Sequence, residues 1–108
     1  MKEVKAFIHR GRIADTVHAL EQAGFRHLSV IDVKGLLRAL SEREQNYSIE
    51  IGERVTNEVK LEVFCEDEQA DRAVQIIRLH GRTGQTLAGW VYQSTVDHAW
   101  PIDGRTDR

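Results

Sequence analysis

The residues best suited to bind a ligand lie between two strand-like runs of the sequence. Gly35 ends the first run, and Arg38, three positions later, carries a guanidinium that could bind an anion. Residues 36–58 are mostly polar or charged, and so long a connection between paired strands is more often functional or disordered than a simple spacer. We therefore predict that this segment is the working part of the chain. A solvated loop arginine is the alternative interpretation of Arg38.

The patterns expected of an enzyme or a metal site are weak. The five histidines show no H-x-x-x-H spacing, and His18 and His80 are predicted on helix surfaces. No Ser-His-Asp or paired-carboxylate arrangement stands out, so the chain is predicted not to be an enzyme. The single Cys65 cannot form an internal disulfide, and its strand-like run favours a buried, reduced thiol. A metal site would require distant residues to converge and stays open as an alternative.

Composition limits the class of protein. The chain has 108 residues, of which 41% are apolar and 30% charged, with a net charge of −2. This length predicts one domain over residues 1–108. The interspersed charges disfavour a duplex-DNA footprint, so no nucleic-acid partner is expected. No apolar run approaches the ~20 residues of a membrane span or follows the charged N-terminus, so a cytoplasmic protein is expected.

Apolar periodicity predicts the elements that position the long segment. Alternation predicts strands at residues 2–9, 28–34, 59–64 and 90–96, the second of them interior because its apolar residues occupy both faces. Helical spacing predicts a helix at residues 13–23 that stops at Gly24. A second helix, capped by Asp67 and stopped by Gly81, carries the apolar stripe Ala70, Ala73, Val74 and Ile77. The tail, residues 97–108, is loosely specified.

The order strand, helix, strand, long loop, strand, helix, strand predicts an α+β protein. It is the ferredoxin-like βαββαβ pattern, in which two helices cover one face of a four-stranded antiparallel sheet. The other face of the sheet has no helix to cover it. Its predicted apolar residues are Phe7, Ile31, Val33 and one face of strands three and four. We therefore expect that face to be buried by other subunits of an oligomer.

Three motifs occur in a characteristic order and separation. They are Val33-Lys34-Gly35 before the long loop, Val59-Lys60-Leu61-Glu62-Val63, and Arg82-Thr83-Gly84 with Gly89 further on. Together they resemble the nitrogen-regulatory PII signal-transduction family and its PII-like relatives, over residues 1 to about 96. The resemblance implies a homotrimer in which an adenine nucleotide binds clefts between subunits. It also implies that the long loop presents itself to a target protein.

By this resemblance, ten positions are predicted to bind a nucleotide or an anion. The loop base would give backbone N–H groups and one guanidinium to an anion, the third strand would lie near the adenine, and the glycine-containing loop would cradle phosphates. The predicted residues are, in that order, Gly35, Leu36, Leu37 and Arg38; Glu62, Val63 and Phe64; and Thr83, Gly84 and Gly89.

The sequence departs from the nitrogen-regulatory members where they bind their ligands. Ala39 stands in place of a glutamine that helps hold a metal ion and 2-oxoglutarate. Two lysines and two arginines of the family are replaced here by Glu58, Trp90, Pro101 and Asp103. Each charge-assisted contact to a phosphate is worth roughly 1.5–3 kcal/mol, so tight ATP binding is disfavoured and AMP or ADP fits better. Arg82 and Arg105 are the candidates for replacement charge.

The loop base also resembles one branch of the PII-like relatives. The segment from Val33 to Leu40, followed by Glu42-Arg43-Glu44, is similar to members linked to inorganic-carbon uptake and carboxysomes. This implies a regulator that binds AMP or ADP, with bicarbonate as a second ligand and no covalent cofactor, and that signals to a transporter or carboxysome-related protein. A metal-responsive PII-like or CutA-type trimer is the main alternative. An RNA-binding module and a purely structural oligomer are the others.

Overall fold

The computed structural model describes residues 1–32, 58–84 and 89–103. Within these ranges, two helices and four strands follow one another in the predicted order: β1 (Lys2–His9), α1 (Ile13–Gln22), β2 (His27–Ile31), β3 (Glu58–Cys65), α2 (Ala70–His80) and β4 (Val91–Thr95). A short 3-10 turn precedes each helix. The α+β class and the four-stranded antiparallel sheet are confirmed. The predicted loop base, most of the 36–58 loop and Arg105 lie outside the described residues.

The strands are ordered β2-β3-β1-β4, and every neighbouring pair is antiparallel. The prediction that the second strand is interior was wrong, because β2 lies at an edge and pairs only with β3 in the described part of the chain. Its apolar side chains do occupy both faces, but Val30 and Ile31 remain 47% and 43% exposed. Apolar residues on both faces of a strand therefore did not indicate its place in the sheet.

One face of the sheet packs against the helices and forms the core. Alternate residues of β1 and β3 point to this side: Val4, Ala6 and Ile8 lie opposite Val63, Leu61 and Val59. The stripes of the two helices close it with Leu20 from α1 and with Ala70, Ala73 and Ile77 from α2. The predicted 3.6-residue spacing therefore corresponds to the buried helix faces. Thr16 is also buried, and its hydroxyl donates to the carbonyl of Arg12 at 2.8 Å.

The helix ends follow the sequence in one case and not in another. Gly24, at φ +97°, follows α1 in a Schellman-type end, and the next amide, of Phe25, donates to Leu20 O at 3.0 Å. The prediction that Asp67 caps the second helix was wrong. Its carboxylate instead accepts a hydrogen bond from the Met1 ammonium at 2.7 Å, and no side chain caps the N-terminus of α2.

The helix-free face of the sheet is less apolar than predicted. On β3 it presents Lys60, Glu62 and Phe64, because Val59, Leu61 and Val63 all point to the helices. Its apolar side chains come from other strands: Phe7 is 38% exposed, Ile31 43% and Tyr92 53%. The expectation that strand three contributes an apolar surface here was therefore wrong. No helix among the described residues is long and apolar enough to span a membrane.

Candidate ligand-binding clefts

A small cleft lies where the end of β1 meets the start of β4 and the end of α2. We call it the arginine cleft; its walls are Ala6, Phe7, Ile8, Ile77, Arg78, Gly81, Arg82, Gly89, Trp90 and Val91. It encloses about 150 Å³. Among the described lining residues, the charged side chains are the two guanidinium groups, with no aspartate or glutamate. The cleft therefore has the charge and size to hold a small anion rather than a cation.

Gly89 is held at the arginine cleft by close contact with a neighbouring strand. A Cβ atom at this position would lie 2.7 Å from the carbonyl oxygen of Phe7, and φ is +136°, a region that side-chain-bearing residues rarely adopt. Only glycine lets the chain enter β4 so close to β1. Of the predicted phosphate-loop residues, Gly89 is the one that lines this cleft. Thr83 and Gly84 follow directly after Arg82 and are exposed, but they are not among the lining residues.

A larger groove lies toward the opposite end of the sheet. We call it the aromatic groove; it is lined by Met1, Gly24, Phe25, Arg26, His27, Phe64, Cys65, Glu66, Gln69, Val96, His98, Ala99, Trp100 and Pro101. It encloses about 890 Å³. Trp100 is 74% exposed and stacks on His98, with ring centroids 5.1 Å apart and an interplanar angle of 27°. Phe64 is the predicted site residue that lines this groove.

The third strand divides its three predicted site residues between two faces. Glu62 lies on the helix-free face and pairs with Lys60, Nζ to Oε1 at 2.8 Å. The neighbouring Val63 side chain is fully buried against the helices, so it offers a ligand only its backbone. In the register of the sheet, Glu62 stands opposite Lys5, which in turn stands opposite Tyr92 on β4. Two strand spacings, roughly 10 Å, therefore separate Glu62 from β4.

Among the described residues, two of the predicted site positions lie in different clefts. Phe64 lies in the aromatic groove and Gly89 in the arginine cleft. Phe64 is opposite Glu3 on β1, whereas the Gly89 contact is to Phe7, four residues further along that strand, or roughly 13 Å.

One pair of lining residues and two side-chain contacts were not predicted from the sequence. Arg78 precedes Arg82 by four residues, a spacing that places both near the same end of α2 and that could have indicated the pair. Arg12 donates from Nε to the carbonyl of His80 at 3.0 Å, across 68 positions of sequence. Arg10 forms two hydrogen bonds with Asp32, at 2.7 and 2.9 Å, and this contact raises the pKa of the guanidinium.

The metal-responsive alternative gains no support from the described residues. Among them, no three histidine, cysteine, aspartate or glutamate side chains are grouped to hold a metal ion. The Cys65 thiol is partly buried, and this burial, followed by the neighbouring Glu66 charge, raises its pKa. A raised pKa disfavours the thiolate that a metal or a redox partner would need.

Similarity to known proteins extends over the whole chain. A family model described as "Nitrogen regulatory protein P-II" matches residues 1–108. The nitrogen regulatory protein P-II of Rhizobium etli is 32% identical over 108 residues, which span 99% of this chain and 96% of that protein. The Rhodobacter capsulatus protein of the same name is 32% identical over 99 residues, with 92% and 88% covered. The P-II 1 protein of Methanothermobacter thermautotrophicus is 29% identical over 96 residues, with 89% and 84% covered.

Proposed function

The chain belongs to the nitrogen regulatory P-II family, and from this premise we propose that it is a non-enzymatic regulator that binds AMP or ADP. The nucleotide occupies clefts between the subunits of a homotrimer, and bicarbonate is a second ligand. Segment 36–58 transmits the bound state to a target protein. That target is a transporter or carboxysome-related protein of inorganic-carbon metabolism.

The observation that supports this proposal is that two of the predicted site residues line two separate clefts. Phe64 and Gly89 lie toward opposite ends of the sheet, in clefts that do not share a lining residue. A site formed between two chains brings one cleft of each chain to the same ligand. The helix-free face supports such assembly because it exposes Phe7, Ile31 and Tyr92 between its charged residues.

The charges support a nucleotide with few phosphates. Glu58, Trp90, Pro101 and Asp103 occupy positions where the resemblance would place cationic groups. The arginine cleft carries two guanidinium groups, which can stabilise a mono- or diphosphate but leave a triphosphate short of partners. Signalling then requires only that the ligand bind one arrangement of segment 36–58 more tightly than another.

The proposal is tested by calorimetry and native mass spectrometry with AMP, ADP, ATP, 2-oxoglutarate and bicarbonate. We expect a trimer that binds AMP or ADP more tightly than ATP. Arg38→Ala should weaken nucleotide binding about 10-fold or more while leaving the trimer intact, because it removes a charge-assisted contact. Arg43→Ala, in the same segment, is the matched control and should bind as the unaltered chain does. A chain that responds to no nucleotide would contradict the proposal.

A further inference from the structure

The arginine cleft contains two arginines that stabilisation of the α2 C-terminus does not fully explain. Arg78 is in the last turn of α2 and Arg82 lies two residues beyond its end, and both side chains are exposed. Neither forms an ion pair within the part of the chain that the structure describes. Two guanidinium groups that line one cleft, with no acid among its described lining residues, repel each other, so an anion held between them would be stabilising.

Cations in the last turn of a helix often serve only to stabilise its C-terminal carbonyls. Here other groups already contact two of these carbonyls. Arg12, before α1, donates to the His80 carbonyl at 3.0 Å, and the amide of Gly81 donates to the Ile77 carbonyl at 2.8 Å. Two of the terminal carbonyls of α2 are therefore satisfied without the side chain of Arg78 or Arg82.

The remaining walls of the cleft set the size of what it can hold. Apolar side chains of β1, β4 and α2 line its floor, and Gly89 lies against the Phe7 carbonyl. Pockets for drug-sized molecules enclose roughly 300–1,000 Å³, so a cleft of about 150 Å³ is too small for a whole nucleotide. A single phosphate group matches its size, and phosphate is the anion whose oxygens suit the guanidinium fork.

We propose that Arg78 and Arg82 bind one phosphate group in the arginine cleft and thereby limit the ligand to those whose terminal phosphate reaches it. This inference deepens the proposed function and rests on it where the phosphate belongs to a nucleotide. The same chemistry serves free inorganic phosphate. The pair replaces, from the end of α2, the cationic charge that Trp90 does not supply after Gly89.

The test measures binding of inorganic phosphate, AMP, ADP and bicarbonate by calorimetry at constant ionic strength. Trp90 lines the cleft, so its fluorescence in a Trp100→Phe background reports phosphate binding independently. Arg78→Gln and Arg82→Gln should each weaken phosphate binding about 10-fold or more, because each removes a charge-assisted contact. Arg82→Lys, which keeps the charge but loses the fork, should fall between Arg82→Gln and the unaltered chain.

Arg72→Gln is the matched control. Arg72 is an exposed arginine of the same helix, but it lines a different groove, beside His18 and His80. The Arg72→Gln variant should bind phosphate as the unaltered chain does. An equal loss in all three glutamine variants would overturn the inference, because net charge alone would then explain the weaker binding. Unchanged phosphate binding in Arg78→Gln and Arg82→Gln would overturn it as well.

The ligand panel separates this inference from the proposed function. If phosphate binds in an arginine-dependent way while AMP and ADP do not bind, the proposed function fails and the phosphate site stands. If AMP or ADP binds equally well to the unaltered chain and to both arginine variants, the phosphate assignment fails and the nucleotide regulator stands. No binding of any phosphate-containing ligand overturns both.

Discussion

The two faces of the sheet are built from the same strands but differ in what they can stabilise. The helix-covered face is closed: Val4, Leu61 and Val63 are fully buried there. The helix-free face places Lys60, Glu62 and Lys5 among exposed aromatic rings, and its charges pair locally, as between Lys60 and Glu62. The first face supplies the free energy of folding within one chain, whereas the second is suited to contacts with other molecules.

This difference predicts the largest effect for a truncation on the covered face. Leu61→Ala should lower the free energy of unfolding by about 2–5 kcal/mol, because it leaves a cavity in a closed core. Chemical denaturation measures the loss, which should be the same at every protein concentration.

Tyr92→Ala is the matched truncation on the helix-free face, where the ring is 53% exposed. Its effect should be small within one chain, about 0.5 kcal/mol or less, and should grow with protein concentration if this face assembles. A concentration-independent loss equal to that of Leu61→Ala would break the distinction between the faces.

Gly89→Ala should have the next largest effect, because it forces a Cβ to 2.7 Å from the Phe7 carbonyl in a backbone conformation that favours glycine. We expect a loss of about 1–3 kcal/mol in the free energy of unfolding. Gly84→Ala is the control: its φ is +88°, but nothing lies within 4 Å of the added Cβ, so it carries the backbone strain alone. Equal losses in the two variants would show that the close approach of β4 to β1 is unimportant.

The reactivity of the Cys65 thiol tests whether the helix-covered face shields a residue at its edge from solvent. Its side chain packs against the core, and burial raises the pKa of the thiol. Alkylation by iodoacetamide at neutral pH should therefore be slower than for an exposed thiol, with its pH profile displaced to higher pH. Ser29→Cys in a Cys65→Ser background puts the only thiol on the helix-free face, opposite Glu62. The two proteins should differ in rate, and equal rates would contradict the assignment of faces.

The smallest effect is expected at the exposed contact between the Met1 ammonium and Asp67. Its hydrogen bond and charge lower the pKa of this carboxyl in the folded protein. The contact therefore contributes stability above the unfolded carboxyl pKa, about 3.9, and that contribution is lost as pH falls through the lowered folded value. Asp67→Asn should slightly flatten the dependence of thermal stability on acidic pH. A steeper dependence in the variant would contradict this contact.

Periodicity in the sequence was sufficient to predict much of the fold. Alternation located β1 and β3 and separated Leu61 from Glu62, and the spacing of Leu20 and Ile77 located the helix faces. These signals are local, because residues two apart in a strand or three to four apart in a helix share a face whatever lies elsewhere. The edge position of β2 was not predictable in this way, since it depends on which strands pair.

Some features of the candidate site were predicted from the sequence, and others were not. Glycine and arginine suit a phosphate site through chemical properties that do not depend on context. The resemblance to the family pointed to Gly89 and, through the cations missing from the family pattern, to Arg82 as a replacement. It did not show that Arg78 lines the same cleft, that Trp100 stacks on His98, or that Arg12 satisfies the end of α2. Each of these contacts required the relative placement of separate elements.

The sequence by itself determined the order of elements, the buried stripe of each helix and the family to which the chain belongs. Only the tertiary structure decided that β2 is an edge strand, that Phe64 and Gly89 lie in separate clefts, and that two arginines share the smaller one. The physical reason is the separation in sequence of the residues that determine each feature. A side chain's face follows from a few neighbouring residues, whereas a cleft forms only where distant segments are brought together by packing and strand pairing.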